Sequence, residues 1–187
     1  MTAGQLPVRD ISLDFCELKR RLGGDAESTL ERYNAREFFE KISVKYSIGE
    51  AELSVKGIAV RIGNVEITSR ALSKHLTGYK KCAVLALTLG VDADRIIRRA
   101  EAVGQTLGFI ADALASVIAD SSCQKICDVK VLGEHSSPFA VGYADTDTKN
   151  LPSLLKIADP NGSLGITFTD SHLMIPTKSI VVIVGKM

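Results

Sequence analysis

Ile42-Ser43-Val44-Lys45-Tyr46-Ser47-Ile48, followed after a short polar interval by Leu53-Ser54-Val55-Lys56-Gly57-Ile58-Ala59-Val60-Arg61-Ile62-Gly63-Asn64-Val65-Glu66-Ile67, is the stretch that decides the fold. Ile42, Val44, Tyr46 and Ile48 recur at every second residue. That period puts apolar side chains on one face of a pleated strand and polar ones on the other. Leu53 and Val55, then Ile58, Val60 and Ile62, then Val65 and Ile67 repeat the pattern in short segments. Gly57 and Gly63-Asn64 supply the turn chemistry between them. The reading is an antiparallel meander.

Working outward toward the N-terminus, the period changes. Ile11, Phe15, Leu18 and Leu22 recur at helical spacing, and Gly23-Gly24 ends that helix. Asp25 is placed to cap a second helix that carries Leu30, Tyr33 and Phe38 toward a core. Residues 1–40 therefore read as an N-terminal helical segment, and 41–187 as the main body of one compact domain.

Toward the C-terminus, Ser69 is an N-cap for a short helix ending at Gly78. Residues 82–89 form a continuous apolar run, the pattern of a strand covered on both faces. Thr88-Leu89-Gly90 then leads into a helix from about Asp92. Such strand-to-helix junctions present free N–H groups that ligands use. The helical region extends to about Cys127 and bends near Gly104 and Gly108, whose spacing reads as close helix packing. Residues 126–132 read as a further strand and 133–149 as a long loop, a length usually associated with function. Asn150 caps a short helix with Pro152 in its first turn. Residues 164–168 and 180–184 read as a closing hairpin. Helices and strands interleave without regular alternation, so the expected class is α+β, with a twisted, mostly antiparallel sheet and flanking helices.

Composition narrows the function. Lys plus Arg is 23 against 22 for Asp plus Glu, a balance that excludes the basic face of a nucleic-acid protein and a polybasic membrane anchor. Apolar runs such as 83–87 and 180–184 are too short to span a bilayer, and residues 1–10 lack the apolar centre of a signal peptide. A cytoplasmic protein with four reduced thiols is expected. Cys123 and Cys127 share a helix face, but a metal site needs further ligands and only His135 is near in sequence. Buried structural thiols are the simpler reading for these two, and for Cys16 and Cys82 in their apolar runs. No metal site is expected.

Two C-terminal runs carry more specific information: Pro138-Phe139-Ala140-Val141-Gly142-Tyr143-Ala144-Asp145, and Thr167-Phe168-Thr169-Asp170-Ser171-His172-Leu173-Met174-Ile175-Pro176-Thr177-Lys178-Ser179. With Gly63-Asn64-Val65-Glu66-Ile67-Thr68-Ser69, Ser73-Lys74-His75-Leu76-Thr77-Gly78 and Thr88-Leu89-Gly90, they resemble the activation (reactivation) domain of cobalamin-dependent methionine synthase, in its free-standing subunit form. The resemblance covers roughly residues 40–185.

The resemblance implies a reactivation subunit. Such a subunit binds S-adenosylmethionine and presents its methyl group to a cobalamin carried by a methionine synthase core or another corrinoid protein. Flavodoxin or a similar donor supplies the electron. It implies cofactor-binding roles for Gly142, Tyr143 and Asp112, and for Tyr143 a place at the face that meets the corrin ring. Each keeps a plainer alternative: Tyr143 as a loop aromatic folded onto the core, Asp112 as a solvated helix carboxylate. Asp145 is a second ligand acid or an Asx-turn residue. Asp170 and Ser171 shape the turn before Met174, a core residue. Where the family has an arginine that grips the ligand, four residues before the glycine, this chain has Pro138. No arginine follows Arg99, and lysine lacks the planar fork that holds a carboxylate at two points. Losing one charge-assisted contact costs about 1.5–3 kcal/mol. The resemblance therefore leaves a second function open: a non-catalytic partner of a corrinoid protein that has lost S-adenosylmethionine.

Overall fold

The alternation at Val44, Tyr46 and Ile48 builds the first half of one 14-residue strand, β2 (Ser43–Lys56). The computed structural model describes residues 2–131 and 133–187. The two apolar segments expected as separate strands are one, because the buried parity switches along it. Val44, Tyr46 and Ile48 enter one core, whereas Ala51, Leu53 and Val55 enter the core on the opposite face. A sequence that changes its inward face looks interrupted although the strand runs on.

β2 sits beside β5 (Lys81–Thr88), which pairs with it from Lys45↔Thr88 to Glu52↔Lys81. Two strands share the other edge of β2. Its first half takes β1 (Thr2–Pro7) and its second half β3 (Ala59–Ile62), which in turn pairs with β4 (Val65–Thr68). Beyond β5 lie β9 (Ser179–Lys186) and the two-residue β6 (Phe139–Ala140). Every pairing is antiparallel. β7 (Thr167–Phe168) and β8 (Met174–Ile175) form a separate small ribbon.

Helices cover both faces. α1 (Phe15–Leu22), α2 (Ala26–Arg32), α4 (Gly90–Val103) and α5 (Gln105–Lys130) lie over one. α3 (Arg70–Leu76) and α6 (Leu151–Ala158) lie over the other. Capping follows the sequence: the Asp25 carboxylate accepts from Glu27 N and Ser28 N, and Ser69 Oγ accepts from Leu72 N. α6 approaches the sheet closely enough that a Cβ on Gly49 would stand 1.9 Å from the Ile157 carbonyl oxygen. Beside it Ser47 Oγ donates to Ala158 O at 2.6 Å.

Four expectations are corrected. The chain opens with a strand rather than a helix; Thr2–Pro7 has no apolar alternation and is fixed by its ladder with β2. Residues 126–131 continue α5 and its cap, with Ile126, Cys127 and Val131 entering the helix-side core at helical spacing. Residues 164–168 do not pair with β9. β9 is buried on both faces and stands between β5 and β6, while Leu164 and Ile166 pack as loop residues. Cys16 is exposed rather than buried.

The helical region breaks at Gly104, between α4 and α5. Gly108 lets α5 lie against Glu101: a Cβ on Gly108 would stand 2.9 Å from Glu101 Cα. By length and composition α5 is apolar enough to cross a bilayer, but most of its apolar stretch is buried inside the domain, as in a core helix.

Candidate functional site

Among the described residues β6 pairs only with β9, so the chain leaves the sheet edge at Val141, whose N–H reaches Val181 O. It then turns sharply. Gly142 has φ 96°, a conformation that costs glycine little and other residues more. Gly142 N donates to Thr146 Oγ1 at 3.0 Å, and Thr146 Oγ1 donates to Tyr143 O at 2.6 Å. The turn holds Tyr143 at its tip with 72% of its surface exposed. Tyr143 is not folded onto the core.

Asp145 anchors this loop. One carboxylate oxygen accepts from Ser69 Oγ and from Ala71 N at 3.3 Å; the other accepts from Arg70 N at 2.7 Å. The side chain caps the first turn of α3 rather than making an Asx-turn, so its oxygens are engaged within the protein. The Ser69 hydroxyl first, then the Arg70 N–H, hold its carboxyl below the usual carboxylate range. A lowered folded value means that the anchor is complete above the unfolded value of about 3.9 and is lost as pH falls through the folded one. The Arg70 amide resonance is therefore expected to titrate only below about pH 4, and Asp145→Asn should shift it already at pH 7. An Arg70 amide insensitive to both changes would remove the anchor.

Tyr143 lines a cleft of about 230 Å³ whose walls come from distant parts of the chain. α1 contributes Arg21, α5 contributes Ser116 and Asp120, and the segment before β9 contributes Met174, Thr177 and Lys178. Met174, expected in the core, is half-buried and lines this cleft. The volume lies below the ~300–1,000 Å³ typical of pockets that enclose a drug-sized ligand. A ligand of that size seated here stays partly in the open.

Charges of both signs face the cleft. Arg21 Nε donates to Glu17 Oε1 at 2.7 Å and its Nη2 to Asp120 Oδ2 at 2.9 Å. Arg20, with burial opposing it and Arg21 assisting, pulls the Glu17 carboxyl down to about 2. Burial pushes the Asp120 carboxyl up, and Arg21 opposes that push without cancelling it. Lys178 Nζ donates to Asp112 Oδ1 at 2.7 Å and to Ser116 Oγ at 2.9 Å, with its side chain only 14% exposed. The Lys178 segment is pinned from behind. Thr177 N and Oγ1 both donate to Asp94, and Leu89 N donates to Lys178 O.

Of the expected residues, Tyr143 lines the cleft and Gly142 turns the chain beneath it. Asp112 reaches the cleft through Lys178, and Asp145 is held at α3. Around Pro138, His75 Nε2 lies 2.8 Å from Ser137 O and its ring packs on Phe139 with centroids 5.4 Å apart. Arg21, Asp120, Lys178 and Asp94 were not expected. The one local signal among them is the i, i+4 spacing of Glu17 and Arg21 on α1.

A second concavity of about 570 Å³ lies at the strand-to-helix junction, its charged lining being Lys41, Lys45, Arg95 and Arg99 with Glu37 and Asp92. Among the described residues no three His, Cys, Asp or Glu side chains group as metal ligands. Burial pushes the Cys82 thiol up to about 12. The Cys127 contact, then burial, also raises Cys123. Both stay protonated and inert at neutral pH.

No protein-family model matches the sequence, and no curated protein matches it. Among solved structures, the crystal structure of the MetH reactivation domain bound to AdoHcy is similar, at a TM-score of 0.69. The alignment covers 99% of this chain and 78% of that one at 13% identity, a level at which the likeness lies in the fold. The chain has the α+β reactivation-domain fold, an antiparallel sheet with helices on both faces.

Proposed function

We propose that this protein is a reactivation subunit. It binds S-adenosylmethionine beside the Gly142–Tyr143 turn and supports reductive remethylation of cobalamin held by a methionine synthase core or similar corrinoid protein. The observation that carries the reading is the exposed Tyr143 at the rim of an open, two-signed cleft, in a fold like that of a domain crystallised with AdoHcy.

Bound S-adenosylmethionine supplies an electrophilic methyl group with a good leaving group, so the protein needs no strong acid or base. This chain's residues bind and orient. Gly142 turns the chain with its positive φ, Tyr143 offers an aromatic face to a flat macrocycle, and the Lys178–Asp112 pair fixes the wall behind them. Asp145 keeps the turn in register with α3. A reductant such as flavodoxin supplies the electron.

A second reading, a corrinoid-protein partner without S-adenosylmethionine, draws on Pro138 and on the ion pairing of the mostly buried Lys178. Titration calorimetry separates the two. Heat at micromolar to millimolar S-adenosylmethionine supports the first, and none from folded protein leaves only the second. Co-elution with a corrinoid-loaded methionine synthase core tests the docking common to both; no co-elution and no change in the cobalamin spectrum would end both readings. Tyr143→Ala is expected to slow remethylation about tenfold or more, the scale of an aromatic anchor at an interface, with its thermal melt unchanged. A variant that unfolds instead would assign Tyr143 to packing.

A further inference from the structure

We infer that Arg21 and Asp120 clamp the amino-acid end of the ligand, the guanidinium taking its carboxylate and the aspartate its ammonium. The inference rests on the S-adenosylmethionine reading and assigns the polar end of that ligand to residues outside the Gly142–Tyr143 loop.

Three observations carry it. First, the cleft lining carries both signs rather than one: Arg21 and Lys178 stand with Asp120, and Asp112 pairs with Lys178 from behind the wall. A lining of both signs suits a zwitterion better than an anion or a cation. Second, Arg21 is the cation best equipped for a carboxylate. A guanidinium has five N–H donors in a planar fork. Nε goes to Glu17 and Nη2 to Asp120, which leaves Nη1 without a protein partner among the described residues. The two acids also hold the fork fixed, so little side-chain freedom remains to be lost on binding. Lys178 is less suited: two of its three donors are already taken by Asp112 and Ser116, and its side chain is mostly buried. Third, Asp120 lies directly beside that fork at 2.9 Å on the cleft wall. Its carboxyl is still raised by burial despite Arg21, so a second cation next to it would be favourable.

The geometry also supplies a cation that Pro138 cannot. Arg21 arrives from α1, in the N-terminal segment, and meets α5 across 99 residues of sequence.

The test is titration calorimetry on the full chain at pH 7 with two ligands, S-adenosylhomocysteine and 5′-methylthioadenosine. The second keeps the nucleoside thioether and lacks the amino-acid end. Wild type is expected to bind the first at least about tenfold more tightly, the value of one or more charge-assisted hydrogen bonds. Arg21→Gln should collapse that ratio toward one by weakening S-adenosylhomocysteine alone, and Arg21→Lys should restore part of it. Asp120→Asn, which preserves shape, should lower the ratio in the same direction and serves if Arg21→Gln is misfolded by circular dichroism. A folded Arg21→Gln or Asp120→Asn protein that keeps the wild-type ratio overturns the clamp while leaving the S-adenosylmethionine reading intact. A wild type that binds both ligands equally also overturns the clamp alone. A wild type that binds neither overturns both.

Discussion

Gly49→Ala is expected to destabilise the protein by roughly 3–4 kcal/mol, above the usual range for an added methyl group. The reason is what the methyl would meet. Its Cβ would stand 1.9 Å from the Ile157 carbonyl oxygen and 2.7 Å from the carbonyl carbon. Both are backbone atoms, which cannot swing aside as a side chain does. α6 would have to lift from β2. Lifting it breaks the Ser47–Ala158 hydrogen bond and loosens the packing of Leu154, Leu155 and Ala158. At about 2–4 °C per kcal/mol for a chain of this size, the melting temperature should fall by ~10 °C. Gly104→Ala is the control: nothing lies within 4 Å of its Cβ position, and its φ of 172° is ordinary extended backbone. It should be neutral or slightly stabilising. Urea denaturation of the two variants decides the matter, and a Gly49→Ala loss below about 1 kcal/mol would contradict the packing argument.

Asp94→Ala should cost about 2–4 kcal/mol and, on the proposed function, also weaken S-adenosylhomocysteine binding. Asp94 is buried, and it accepts from Thr177 N at 3.1 Å and Thr177 Oγ1 at 2.6 Å. Bonds to a charged acceptor are each worth about 1.5–3 kcal/mol, and removing the acceptor leaves two donors without a partner. These bonds fix the turn that presents Lys178, so a loosened turn should also blur one wall of the cleft. Asp94→Asn keeps an acceptor and should recover part of both losses. Thermal melts and S-adenosylhomocysteine titrations of the pair check this. Loss of stability with unchanged affinity would show that the turn does not shape the site.

The sequence carried most of the sheet and little of the cleft, for identifiable reasons. β5 and the first half of β2 were legible because burial on one or both faces leaves a period that a reader can count. The caps at Asp25 and Ser69 were legible because their chemistry is local. β1 was not, since its place depends on the unpaired edge of β2 and not on its own side chains. Residues 126–131 were ambiguous because a short apolar run fits a strand or a buried helix end equally well. In the site, the Gly142–Tyr143 turn was visible as a motif. Arg21, Asp120 and Asp94 were not, because α1, α4, α5 and the β8–β9 turn meet only in the folded chain. The alternative readings of Asp145 stayed open in sequence because its partners, Ser69 to Ala71, lie more than seventy residues away.

β5 sends Ala83, Leu85 and Leu87 into one core and Cys82, Val84 and Ala86 into the other. Consecutive residues there are covalent neighbours yet thermodynamic strangers, separated by the peptide plane of the sheet. Truncating Val84 and Leu85 together should therefore cost close to the sum of the two single losses, as for sites that share no partner. Truncating Leu85 with Leu87 should depart from that sum, because one shared cavity would collapse around both.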